Sequence, residues 1–328
     1  MLIDTHAHLN FKDFQKDLDK IVQRSVEAGV KKIICVSSNL EDSKKSIQTA
    51  KKYPSTVFAA VGIHPHNTSS NHYDTSMYRS EIKRQIKLLQ KFAQKKEVVA
   101  IGECGLDYSP APPARLPASP SRGEPARQGE KDRSKEEQLF LFKEQIKLAI
   151  QLDKPILVHS RKAFGDTVEI LKKYFSRAAS EDKAPPRGKA FAHPRGESSA
   201  KTTPEVCKGT LPADRQVSPV WGNLKGIFHC YAGGKKGIEK VNQLGFYFGV
   251  DGNLTYDEGL QNVFSQIPLE KTLLETDCPY LAPEPFRSQR SEPAHIKIIA
   301  NCLAKIKKIP FNKVEQTTTQ NAGKLFGI

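Results

Sequence analysis

Eight short apolar runs recur along this chain, each followed by a helical pattern, and few folds satisfy that alternation. Leu2–His6, Lys32–Val36, Thr56–Gly62, Glu97–Gly102, Pro155–Val158, Lys225–Phe228, Phe246–Val250 and Thr272–Thr276 read as strands. Helical periodicity covers Lys12–Ala28, Glu41–Tyr53, Met77–Gln94, Lys135–Leu152, Phe164–Phe175, Lys235–Leu244 and Tyr256–Gln266. Two more helices are expected near Pro293–Ile306 and Phe311–Phe326. Eight strand–helix units are the pattern of a (β/α)8 TIM barrel. The rival is a doubly wound open sheet, which normally carries a glycine-rich phosphate turn after its first strand. Here that place holds His6-Ala7-His8, so the barrel is preferred.

Two segments break the alternation, at 109–134 and at about 176–221. Both are rich in Pro, Ala, Ser, Arg and Gly and lack periodicity, so they read as disordered, low-complexity insertions in a single domain of residues 1–328. The first follows strand four and is expected at the mouth of the barrel. The second precedes strand six and is expected on the opposite face. Removing both leaves a chain near the ~250 residues typical of this fold.

No apolar run approaches the ~20 residues of a membrane helix. Residues 1–8 are not basic-then-apolar as an export signal would be, so a cytoplasmic protein is expected. The 6 cysteines form no CxxC pair, which disfavours a zinc ribbon or a disulfide framework. The net charge is +15; the two odd segments hold 13 Lys/Arg against 8 Asp/Glu, leaving about +10 on the rest. Such a surface attracts polyanions, nucleic acid first among them. The basic helix around Lys83, Lys87 and Lys91 reads as the solvated outer face of the barrel rather than as a DNA track.

Barrel enzymes place their chemistry where strands end. On a strand, residues two apart share a face, so His6 and His8 project side by side as metal ligands would. Metal-capable residues recur at the other strand ends: His64 after strand three, Glu103 after four, His159 after five, His229 after six, Asp277 after eight. One such residue has a dull explanation, but a recurrence around the ring points to a metal centre. Cys104, Cys230 and Cys278 directly follow ligand positions, and strand alternation turns at least some of them away, so none is counted as a ligand. Tyr108, Tyr231 and Tyr280 are placed either to stack on bases or to pack around the mouth.

Seven blocks, in order, resemble the TatD-type metal-dependent deoxyribonucleases of the amidohydrolase superfamily. They are Ile3–His8, Gly62–Pro65, Gly102–Tyr108, His159–Arg161, Phe228–Cys230, Glu275–Leu281 and Asn321–Phe326. The resemblance implies that His6, His8, Glu103 and Asp277 surround one divalent ion. It implies that Glu103, His159 and His229 surround a second, with Glu103 bridging. His64, Arg161 and Arg290 would face the substrate. Arg290-Ser291-Glu292-Pro293 departs from the family's Arg-Asn-Glu-Pro at Ser291, and the first odd segment replaces a short aromatic and basic loop after Tyr108.

The chemistry of the residues agrees. Four neutral imidazoles and two carboxylates against two divalent ions leave about two positive charges, suited to a phosphodiester. Asp277 and Glu103 are the candidate catalytic carboxylates, Asp277 as the group that orients water and takes its proton. A mixed His/carboxylate shell suits Zn or Mn and permits Mg. The expected activity is a metal-dependent phosphodiester hydrolase, by resemblance a 3′-5′ exonuclease on single-stranded DNA. The alternatives are an ester, amide or aminoacyl-tRNA hydrolase on the same site, and a non-catalytic nucleic-acid-binding barrel.

Overall fold

The computed structural model describes residues 1–67, 75–110, 134–181 and 224–328. Eight parallel strands pair in sequence order: β1 (Leu2–Ala7), β2 (Val30–Val36), β3 (Val57–Val61), β4 (Val98–Asp107), β5 (Ile156–Arg161), β6 (Gly226–Phe228), β7 (Tyr247–Val250) and β8 (Thr272–Leu274). Between and after them run α1 (Leu18–Glu27), α2 (Leu40–Lys52), α3 (Thr75–Ala93), α4 (Lys135–Gln151), α5 (Phe164–Glu181), α6 (Gly234–Gln243), α7 (Glu258–Gln266), α8 (Ile296–Lys307) and α9 (Phe311–Phe326). This is the expected (β/α)8 barrel.

The barrel closes just beyond β8. Ala7 bridges Cys278, the His8 amide donates to the Cys278 carbonyl at 2.8 Å, and the Asp277 amide donates to the His6 carbonyl at 2.9 Å. The seam of the barrel therefore joins three of the residues expected to bind metal.

Two apolar layers hold the fold. Inside the barrel lie Ile3, Ile34, Ala60, Ala100, Leu157, Ile227 and Leu273, with Ala322, Leu325 and Phe326 of α9 packed against them. Asn321 anchors α9 by donating to the carbonyls of Leu269 at 2.8 Å and Thr272 at 2.9 Å. Outside, between strands and helices, Phe14, Phe142, Phe228, Phe246 and Phe264 are fully buried. At roughly 1.5–3 kcal/mol for each large apolar side chain removed from water, this outer layer dominates stability.

In β1 and β4 the pairing register slips, between Asp4 and Ala7 and between Ile101 and Cys104. A one-residue slip reverses which face later side chains occupy. Ile3 and Ala100 belong to the interior, and strict alternation would send His6, His8 and Glu103 outward. The slips bring them back to the mouth.

The first expected helix is divided. A 3-10 turn at Lys12–Phe14 precedes α1, because Phe14 turns into the core and the Asp13 carbonyl accepts from Arg290. Helix α5 also continues past Phe175 to Glu181, into the stretch expected to be irregular. The greater part of both expected insertions, 109–134 and 176–221, lies outside the described residues, between β4 and α4 and between α5 and β6. Among the described residues, no helix is long and apolar enough to cross a membrane.

Candidate metal centre

Glu103 stands at the centre of the mouth, 4 % exposed, with its two oxygens facing two groups of ligands. Oε2 lies 3.6 Å from His6 Nε2 and 4.0 Å from His8 Nε2. Asp277 Oδ1 completes this first group, 3.7 Å from His6 Nε2 and 3.3 Å from His8 Nε2, while the two imidazole nitrogens are 3.3 Å apart. Donors around one tetrahedral ion with bonds of about 2.1 Å stand roughly 3.4 Å apart. The four residues fit one ion.

Oε1 of Glu103 faces the second group. It is 2.7 Å from His159 Nδ1, 3.7 Å from His229 Nε2 and 3.6 Å from His64 Nε2. His229 Nε2 also lies 3.8 Å from Asp277 Oδ1, and its ring stacks on His6 at 3.6 Å between centroids. The structure thus brings together His6, His8, Glu103, His159, His229 and Asp277. Glu103 shares one set of donors with His6 and His229 and another with His64 and His159, so His229 stands between the two groups.

The electrostatics favour a cation. Burial disfavours a charged imidazole, yet Glu275, Glu103 and Asp277 pull His229 up to about 10. Burial likewise opposes ionisation of Glu103, but the surrounding imidazoles, His64 and His229 foremost, hold it well below the usual carboxylate range. His64 meets the opposite balance: desolvation keeps it well below the ordinary histidine value. Three carboxylates, Glu103, Asp277 and Glu275, thus lie among the imidazoles and draw positive charge toward the cluster. A divalent ion meets both the charge and the donor types.

Each ligand sits on a support. Asp4, beneath His6, accepts from the amides of His6 and Thr276 and from the Thr276 hydroxyl at 2.6 Å; burial raises it to about 7. His8 Nδ1 meets the Val36 carbonyl at 3.1 Å, and its ring stacks on Phe11 at 4.5 Å. Asp277 has a positive φ of 52°, a conformation fixed by its bond to the barrel seam.

A cleft of about 470 Å³ opens above these residues, lined also by Phe11, Ser38, His64, His66, Asn67, Asp107, Arg161 and Tyr280. His64 and Arg161 line this cleft, and Arg290 does not. Its guanidinium is bound to both oxygens of Asp17, at 3.0 and 2.6 Å, and to Glu292 at 3.0 Å, above the Phe14 ring. Two acids and an aromatic face hold it away from the cleft.

Three contributors escaped the sequence reading. Asp107 touches His159 and His66, and Glu275 lies beside His229. Glu275 is two residues before Asp277, and that spacing alone places it on the ligand face. Cys230, set aside as a ligand, is close enough to His229 and Asp277 to share a donor cluster with them. Cys104 and Cys278 are buried, and the Cys104 thiol is turned to the Leu157 carbonyl.

A (β/α)8 barrel with a buried His/carboxylate cluster at its mouth defines a metal-dependent hydrolase of the barrel class. The sequence model of the TatD related DNase family matches residues 3–327, so the chain belongs to that family, whose members are metal-dependent hydrolases acting on ester bonds. It is 28% identical over 330 residues to the metal-dependent hydrolase YabD of Bacillus subtilis, covering 100% of both chains. It is 27% identical over 325 residues to the human deoxyribonuclease TATDN3, covering 99% of this chain and 94% of that one. The crystal structure of the TatD homologue YjjV from Escherichia coli shares the fold, with a TM-score of 0.70 at 23% identity over 100% of this chain and 98% of that one.

Proposed function

We propose that this chain is a two-metal phosphodiesterase that removes nucleotides from the 3′ end of single-stranded DNA. The observation that carries the reading is the position of Glu103, whose two oxygens face two separate sets of imidazoles at the floor of one cleft. When bound, two divalent ions (Zn, Mn or Mg) would supply Lewis-acid charge for the phosphodiester and activate water for attack.

The chain's own residues supply the rest. Asp277 presents Oδ1 to His6 and His8, leaving Oδ2 to orient the attacking water and take its proton. Arg161, at the end of β5 and exposed to the cleft, meets the phosphate charge. His64, neutral because it is buried, donates or accepts a hydrogen bond without adding charge. Phe11 and Tyr280, their rings 6.3 Å apart, form an aromatic wall on which a base stacks. The cleft volume is in the range of sites that hold a molecule of nucleotide size. The +15 net charge favours a polyanionic substrate, and the human relative named a deoxyribonuclease supports DNA.

The test is nucleotide release from 3′- and 5′-end-labelled single-stranded DNA with Mg²⁺, Mn²⁺ or Zn²⁺, beside a chelator control and Asp277→Asn. Metal-dependent release from the 3′ end, lost in the variant, is expected. A protein that holds metal but releases nothing would redirect the site to ester, amide or aminoacyl-tRNA substrates.

A further inference from the structure

The four ligand histidines differ in what holds their second ring nitrogen. His8 Nδ1 meets a neutral backbone carbonyl, Val36, and His6 Nδ1 is buried with no hydrogen-bond partner. On the other side of Glu103, both histidines face carboxylates. His159 Nε2 is 3.2 Å from Asp107 Oδ2, and His229 Nδ1 is 3.2 Å from Glu275 Oε1. His229 Nδ1, like His6 Nδ1, has no hydrogen-bond partner, so Glu275 acts on it through charge rather than through a directed hydrogen bond.

Both carboxylates are built in. Asp107 is 1 % exposed; its Oδ2 also takes His66 Nε2 at 2.6 Å, and its Oδ1 accepts the Ser109 amide at 2.8 Å. Glu275 is fully buried, its Oε1 accepts the Cys230 amide at 2.6 Å, and its Oε2 has no hydrogen-bond partner. A carboxylate behind an imidazole fixes the tautomer, aims the opposite nitrogen and makes it a stronger donor to a metal. Here the aimed nitrogens are Nδ1 of His159 and Nε2 of His229, two of the three that face Glu103 Oε1.

We propose that Asp107 and Glu275 are positioning residues dedicated to the second ion, so that the two ions of one centre depend on different supports. The inference rests on the two-metal reading above. The ion among His6, His8 and Asp277 is held by histidines whose second ring nitrogens face no carboxylate. The ion among His159, His229 and Glu103 is held by ligands that buried negative charge orients.

Mn²⁺ alone is the probe. The metal-stripped full chain is titrated calorimetrically with MnCl2, and bound metal is counted after dialysis. Wild type takes up two ions. Asp107→Asn and Glu275→Gln, which keep shape and remove charge, should each hold one ion at wild-type affinity and bind the other about 10–100-fold more weakly. In a His8→Ala background, where the first ion is lost, adding either substitution should weaken the remaining ion by the same factor. Equal weakening of both ions, or of neither, overturns the assignment. Should Asp107→Asn fail to fold, the isosteric Glu275→Gln still decides it. Uptake of no ion by wild type overturns the metal centre and this inference together. Two-ion uptake with the selective loss, but without DNA cleavage, upholds the inference and removes only the nuclease.

Discussion

Oε1 of Glu103 lies 2.7 Å from Nδ1 of His159, while Oε2 of the same carboxylate faces His6 at 3.6 Å. One side chain thereby joins both halves of the centre. Glu103→Gln keeps the shape but offers each half a weaker donor or an N–H where an acceptor is needed. Nuclease rate should fall at least 10²–10³-fold, roughly the loss seen when one transition-state stabiliser is removed. On the two-metal reading, metal uptake should fall at both sites. Retention of one ion at full affinity would show that Glu103 serves only one of them.

Arg161 and Arg290 carry the same charge and should behave oppositely. Arg161 lines the cleft and has no ion-pair partner among the described residues, so Arg161→Ala should raise KM for DNA and reduce the salt dependence of binding by about one phosphate contact. Arg290 is bound to Asp17 and Glu292 and lies 5.0 Å above Phe14. Partly exposed ion pairs of this kind contribute about 1 kcal/mol or less, so Arg290→Ala should lower Tm by about 2 °C and leave KM unchanged. A raised KM in Arg290→Ala would mean that the arginine leaves its acids when substrate binds.

The barrel was legible in the sequence because its period is coarse: eight apolar runs separated by helices survive errors of a few residues at every boundary. The ligand histidines of β5 and β6 were legible for a simpler reason. Leu157 and His159, like Ile227 and His229, obey strand alternation from core to mouth. His6, His8 and Glu103 reach the mouth only through the register slips in β1 and β4, and pairing register is a property of two strands that neither sequence contains alone. The same applies to Arg290. The Arg-Ser-Glu-Pro stretch gives its type, but its partner Asp17 is 273 residues away, and only the fold brings that acid to it. Asp107 was missed because a carboxylate behind a ligand looks, in sequence, like any other acid beside one, whereas Glu275 carried a signal in its spacing from Asp277.

Cys35 tests the packing between β2 and α2. Its thiol is fully buried, with Asn10 Oδ1 and Ser46 Oγ both at 3.6 Å, and burial pushes it up to about 11. At pH 8 only about one molecule in a thousand would carry the thiolate, against about a quarter for an ordinary thiol near 8.5. Thiol-specific labelling of the native chain at pH 8, mapped by mass spectrometry, should therefore spare Cys35 until denaturant is added. The linked stability has a definite sign. Above about pH 9 the unfolded chain releases a proton that the folded chain keeps until about pH 11, so stability falls as pH rises through that window. Fast native labelling of Cys35 would show that this part of the barrel opens.

Gly105 tests the contact between β4 and β5 that sets Glu103 against His159. Its φ is +146°, and a Cβ there would stand 2.0 Å from the His159 carbonyl oxygen. The backbone adopts this conformation because nothing projects from the glycine, and the close approach lets Gly105 pair with His159 in the sheet. Gly105→Ala adds a disfavoured φ, costing about 1–3 kcal/mol, and a clash with backbone that cannot rotate aside. The strands must separate where Glu103 meets His159. A loss of several degrees in Tm is expected, together with a loss of Mn²⁺ affinity larger than that of Gly29→Ala. Gly29 also has a positive φ, +98°, but no atom lies within 4 Å of the added Cβ, so it carries the strain without the clash. Equal effects from the two substitutions would mean that backbone strain, and not the β4–β5 contact, governs the site.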